Sequence, residues 1–143
     1  MNKKIRNATP KDYDGIHFRS ITEVRLYRYM KKVGLSPLYE PDKILLLDSF
    51  RPSSPWYMDG KEQVTKKGKN MMVQQMTYTP DFRLDLDETT VYIEAKGNEN
   101  DVFPVKRKIF LHWIERQNKP IIFAEIKTVK GLMLFLKKIH AIA

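Results

Sequence analysis

The sequence predicts an α/β domain: a mixed β-sheet flanked by helices, in the order α-β-β-β-α-β-α. Three observations predict it. The chain has 143 residues, the size of one domain, and can bury a core without staples. Between Tyr78 and Gly97 two short apolar/polar alternations flank an acidic, Thr-containing turn, the pattern of strand-turn-strand. Apolar stripes at helical spacing precede and follow that unit.

Residues 1 to 15 are polar, carry Lys3, Lys4, Arg6 and Lys11, and end in Asp14-Gly15, so they read as a basic arm ahead of a domain at 16–143. Ser20 is a candidate N-cap, with Glu23 completing a capping box, and a helix follows from about Ile21 to Val33, ended by Gly34 and Pro37. Its buried stripe is Glu23, Leu26, Tyr27, Met30 and Val33, while Arg25, Arg28 and Lys32 face solvent. Glu23 has two readings: a plain capping-box residue, or an inward carboxylate that meets a metal or a lysine.

Ile44 to Phe50 reads as a core strand. The stretch at 51–70 is long, polar and rich in Pro and Gly, with Trp56, Tyr57 and the cluster Lys66, Lys67 and Lys69. It reads as a loop or hairpin insertion, or as a basic, aromatic flap over nucleic acid. Met71 to Tyr78 reads as strand and runs into Pro80-Asp81, where a proline suits an edge or bulge.

In the central unit Phe82, Leu84 and Leu86 share one side of a strand, and Val91, Ile93 and Ala95 share one side of the next. Glu94 and Lys96 therefore project together, and an antiparallel neighbour brings Asp81 toward them. A polar turn at 98–101 leads to a helix from about Phe103 or Pro104 to Gln117. Its expected inner stripe is Val105, Ile109, His112 and Trp113, with Lys106, Arg107, Glu115 and Arg116 outward; His112 reads as a core histidine. Pro120 to Ile126 reads as a strand buried on both faces over most of its length. Val129 to Ile142 reads as a closing helix with Leu132, Leu136 and Ile139 inward.

Composition narrows the chemistry. Without cysteine there is no disulfide partner, no thiolate zinc site and no cysteine nucleophile. No apolar run reaches the ~20 residues that span a bilayer, and the N-terminus lacks a signal-peptide core. A cytoplasmic protein without a membrane partner is expected. The 26 Lys+Arg against 17 Asp+Glu give +9, which favours a polyanionic partner. Two carboxylates and an ammonium at one sheet edge form a hard-cation site with a water-orienting group.

Pro80-Asp81, then Glu94-Ala95-Lys96 after 12 intervening residues, together with the Ser20-x-x-Glu23 helix and Tyr78-Thr-Pro-Asp-Phe82, resemble the PD-(D/E)xK nuclease superfamily. Within it the chain looks most like small phage-encoded endonucleases of the junction-resolving type. Pro41-Asp42, Asp59-Gly60-Lys61 and Glu125-Ile126-Lys127 repeat fragments of the motif. They lack the adjacent strands and the acid-bearing helix, and are set aside.

The resemblance implies a restriction-endonuclease-like αβββαβ core and a metal-dependent DNA endonuclease. It implies Mg²⁺, with Mn²⁺ able to substitute, held by Asp81, Glu94 and the backbone carbonyl of Ala95, with Glu23 serving a second metal or reaching the first through water. Lys96 would position or deprotonate the attacking water. Candidate substrate contacts are Ser20, Lys66, Lys67, Lys69 and Lys108. Cutting both strands from one site per chain calls for a homodimer. The alternatives are a non-cutting nucleic-acid-binding domain of the same fold and a basic structural protein in which Asp81, Glu94 and Lys96 are replaceable.

Overall fold

The computed structural model describes residues 9–96 and 102–143. Residues 1–8 of the expected arm, Gly97 and the turn at 98–101 lie outside the described residues. In chain order the first elements are β1 (Lys11–Tyr13), β2 (Ile16–Phe18), α1 (Ile21–Lys32), β3 (Leu38–Tyr39) and β4 (Ile44–Leu47). Then come β5 (Tyr57–Met58), β6 (Lys61–Glu62), β7 (Met76–Tyr78), β8 (Phe82–Leu86) and β9 (Thr89–Ala95). The chain closes with α2 (Phe103–Glu115), β10 (Ile121–Ile126) and α3 (Val129–Lys138). The protein is mixed α/β, and its chain divides into two units: one runs to Lys43 and resumes at Thr79–Ala143, the other is Ile44–Tyr78.

The first unit is built on a four-stranded sheet in the order β10-β9-β8-β3. β8 runs antiparallel to both β3 and β9, and β10 lies parallel to β9, reached through α2. The alternation read from the sequence divides its two faces. On one, Phe82, Leu84, Val91, Ile93 and Ile126 pack with Leu26, Tyr27 and Met30 of α1 and Leu132 and Leu136 of α3. Phe18 and Tyr39 join Tyr27 and Phe82 in a ring cluster, with centroids 4.6 Å apart for Phe18–Tyr39 and 5.6 Å for Tyr39–Phe82. Burying side chains of this size contributes ~1.5–3 kcal/mol each. On the other face Phe110 of α2 is buried against Tyr92, Phe123 and Trp113.

Several expectations are corrected. Residues 11–15, expected in the basic arm, belong to an antiparallel hairpin that runs to Phe18; its turn, Asp14-Gly15, takes φ of 53° and 75°. Those left-handed values are what a two-residue hairpin turn requires. Tyr27 donates to Asp14 at 2.7 Å and ties the hairpin to α1. In α2 the inner stripe lies elsewhere on the helix. Val105 is 50% exposed and His112 is exposed, while Phe110 is fully buried and Arg107 turns to the sheet. An even scatter of apolar residues (Val105, Ile109, Phe110, Leu111, Trp113, Ile114) leaves the phase of such a helix poorly determined by sequence. β10 is an edge strand, partly exposed along most of its length. α3 ends at Lys138, and His140 beyond it takes φ 61°.

The second unit is a β-arm. β4 pairs antiparallel with β7, the Phe50↔Val73 bridge continues the pairing, and β5 with β6 forms a hairpin through Asp59-Gly60. Arg51 donates to the Asn70 carbonyl across the arm. Residues 44–50 are therefore not a core strand: Leu45, Leu47 and Phe50 are each more than 40% exposed, and only Ile44 is buried. Strand at 71–78 is confined to Met76–Tyr78. No described helix is long and apolar enough to cross a membrane.

Candidate active site

Register assembles the site. Extending the β8–β9 pairing one step beyond Phe82↔Ile93 sets Asp81 opposite Glu94. Extending β3–β8 beyond Tyr39↔Phe82 sets Glu40 opposite Asp81, and Glu40 N donates to Asp81 O at 2.8 Å to close that step. In the parallel pair Glu125 lies opposite Glu94. Four acids, Glu40, Asp81, Glu94 and Glu125, thus form one row across the four strands at one end of the sheet.

Asp81 is the buried member, with 8% exposure. Its Oδ2 accepts from Ala95 N at 2.7 Å, which fixes the carboxylate against β9. Burial pushes its pKa well above the usual carboxylate range, and the charges of Glu94 and Glu23 push it further; the Ala95 N–H only partly offsets them. Glu23 arrives from the start of α1 and is 5% exposed. The capping-box reading of this residue holds, and its carboxylate is turned inward as well. Its Oε2 accepts from Ser20 N at 3.0 Å while Ser20 Oγ accepts from Glu23 N at 3.2 Å, a complete capping box. The same oxygen takes bonds from Arg19 N at 2.7 Å and Tyr39 OH at 3.2 Å. Burial, then the charges of Glu23 and Glu40, raise the Tyr39 pKa and keep it a phenol donor.

Ligand atoms of Glu23, Glu40 and Asp81 lie within 4.8 Å of one another. Carboxylate oxygens at that spacing, with Glu23 and Asp81 both buried, could hold a metal ion. Glu40 was not singled out from the sequence. Its backbone carries the one further signal, a left-handed φ of 48° in a non-glycine residue where the chain turns into the row. Arg19 pairs with it, Nη2 to Oε1 at 2.9 Å.

At the other end of the row Glu125 Oε2 lies 3.4 Å from Lys96 Nζ, and Oε1 accepts from Arg107 Nη1 at 2.8 Å. Lys96 N donates to Ile126 O at 2.7 Å, which keeps the strand geometry one residue past β9. The sequence offers no adjacent motif strand for Glu125; the parallel pairing makes it the neighbour of Glu94. Arg107, expected outward, faces the sheet. The discarded Pro41-Asp42 has a structural role: Asp42 accepts from Arg83 at 2.6 Å and Tyr92 at 2.7 Å. Burial opposes the ionised form of Asp42, but these bonds outweigh it and lower the pKa.

The remaining candidates divide. Ser20 is the N-cap, with its hydroxyl committed to Glu23 N. Lys108 is exposed on α2, and Lys66, Lys67 and Lys69 are exposed in the β-arm, around Gly68 at φ 76°. For Ala95 it is the N–H that engages the site, through Asp81.

No curated protein and no solved structure matches the chain. A family model described as "Protein of unknown function (DUF1064)" matches residues 3–130, a stretch that includes Glu23 and all four acids of the row. The chain belongs to the DUF1064 family.

Proposed function

We propose that the protein is a metal-dependent endonuclease of restriction-endonuclease-like fold that hydrolyses phosphodiester bonds in DNA. The observation that carries this reading is the register that places buried Asp81 opposite Glu94, with Lys96 on the same face of β9. The element order supports the fold: α1, then the antiparallel series β3, β8 and β9, then α2 and a strand parallel to β9. That is the αβββαβ order the resemblance implies.

The residues take distinct roles in this reading. Asp81 and Glu94, with Glu23 and Glu40 beside them, would hold Mg²⁺. The ion would supply polarisation of the phosphodiester and a water acidified by coordination. Asp81 is oriented by Ala95 N, so its carboxylate is set before any ligand arrives. Lys96 donates to the attacking water or to a non-bridging phosphate oxygen, where charge develops in the transition state. Glu125 holds the lysine in place through the 3.4 Å ion pair.

The test is incubation with supercoiled plasmid and a synthetic four-way junction, in Mg²⁺ or in chelator, beside Glu94→Ala and Lys96→Ala proteins. Metal-dependent cutting abolished by both substitutions is expected. Binding without cutting in Mg²⁺ and Mn²⁺ would replace this reading with a non-cutting DNA-binding domain.

A further inference from the structure

The outward face of α1 carries a second feature, of opposite sign to the acidic row. Arg25, Arg28, Lys31 and Lys32 line a shallow groove of about 590 Å³ with Tyr13 and Tyr29. All four cations are exposed, and none has a carboxylate within ion-pair distance among the described residues. Arg28 instead stacks over the Tyr13 ring, 5.4 Å from its centroid. At 100° per residue, Arg25, Arg28 and Lys32 lie roughly opposite Glu23 around the helix, so groove and acidic row are served by different sides of α1.

A solvated helix face usually mixes charges of both signs. The C-terminal dipole of α1 accounts for Lys31 and Lys32 in its last turn. It does not account for Arg25 and Arg28 in the middle. Four like charges side by side repel one another, a cost that a polyanion removes. We propose that this groove is a docking track for the phosphate backbone of double-stranded DNA, separate from the acidic row and independent of metal.

The dimensions agree with that partner. Seven residues of helix separate Arg25 from Lys32, a rise of ~10 Å. Duplex DNA carries one charge per ~1.7 Å of axis with both strands counted, so about six phosphate charges fall within that length, enough for four cations to find partners. Tyr13 and Tyr29 add apolar edges for the sugar-phosphate surface, and the stack on Tyr13 holds Arg28 extended.

The experiment measures affinity for a 20-base-pair duplex across a salt series in chelator, so that cutting plays no part. Arg25→Gln/Arg28→Gln is compared with Lys137→Gln/Lys138→Gln, which removes the same charge from the exposed last turn of α3. Matching thermal midpoints show that both variants fold. Each phosphate contact contributes ~0.9 to the slope of log affinity on log salt. The groove variant is expected to lose ~1.8 of slope and at least about tenfold in affinity at 50 mM salt, and the α3 variant far less. Equal losses in the two variants, no loss in either, or no wild-type binding would overturn the proposal. So would a groove variant that loses binding to phosphatidylserine vesicles while keeping its DNA affinity. Failure of the nuclease reading is a separate result: intact DNA in Mg²⁺, with this binding unchanged.

Discussion

Lys96 Nζ and Glu125 Oε2 lie 3.4 Å apart across the parallel pair of β9 and β10. The lysine is 42% exposed and the glutamate 15%, so one partner is anchored and the other reaches outward. Arg107 holds the second oxygen of Glu125, which fixes the carboxylate in a forked grip. A flexible lysine held by a fixed acid loses less rotamer freedom when it meets a substrate than a free one does.

In the proposed nuclease, Glu125→Ala is therefore expected to lower cutting about tenfold by releasing Lys96, with DNA affinity nearly unchanged. Lys96→Ala should lower it by ~10²–10⁴, the range for a positioned proton-transfer or charge-stabilising group. The double variant should be no worse than Lys96→Ala alone, since the glutamate acts through the lysine. Glu125→Asp should recover part of the loss. Additive losses in single-turnover rates would show instead that Glu125 acts on its own.

Asp81 predicts a pH effect on stability. Burial first, then Glu94 and Glu23, raise its folded pKa above the unfolded value. A raised pKa means the folded state binds the proton more tightly. Its contribution to stability is full below the unfolded pKa and is lost as pH rises through the folded one. Metal-free protein should thus lose stability above about pH 4, and Mg²⁺ should restore it at neutral pH. Asp81→Asn removes the charge while its side-chain oxygen can still accept from Ala95 N. It should raise the metal-free melting temperature at pH 7 by ~4 °C, about 1 kcal/mol, and abolish the response to Mg²⁺. Differential scanning fluorimetry at several pH values measures both; a lower midpoint for Asp81→Asn would contradict the like-charge account.

The central sheet was legible because period-two alternation states which side chains share a face, and Phe82, Leu84, Val91 and Ile93 obey it. Asp81, Glu94 and Lys96 followed from the same rule. Glu40 and Glu125 did not, because their place in the row depends on which strands become neighbours. That is set by pairing between residues more than 30 positions apart and has no local signature. The phase of α2 failed for a related reason: apolar residues occur nearly all round it, and packing against Tyr92 and Phe123 decides which side is buried. The β-arm was misread at Ile44–Leu47 because an apolar run is equally compatible with a core strand and a two-stranded ribbon.

Glu40 tests the extent of the proposed metal site. Its carboxylate lies within 4.8 Å of those of Glu23 and Asp81, and Arg19 holds Oε1. Glu40→Gln keeps the shape, halves the ligating capacity and leaves Arg19 unpaired. It is expected to weaken Mn²⁺ binding about tenfold, read from the metal concentration that half-saturates the thermal shift. Arg19→Gln should have the opposite sign, modestly tightening binding by removing a competing cation. If Glu40→Gln leaves that midpoint unchanged, the ion is held by Asp81, Glu94 and Glu23 without it.

The corrected face of α2 yields a stability contrast. Phe110 is fully buried, 5.8 Å from the Tyr92 ring and 5.1 Å from Phe123. Phe110→Ala removes the whole ring from a packed site and should cost ~3–5 kcal/mol, enough to unfold a marginal domain near body temperature. Val105, which the sequence placed inward, is 50% exposed; Val105→Ser should stay within ~0.5 kcal/mol of wild type. Urea unfolding of the two variants separates the phases directly. Were Val105→Ser the costlier change, α2 would pack on the sheet through the stripe first read from the sequence. Arg107 would then point away from Glu125, and the grip on Lys96 would be lost with it.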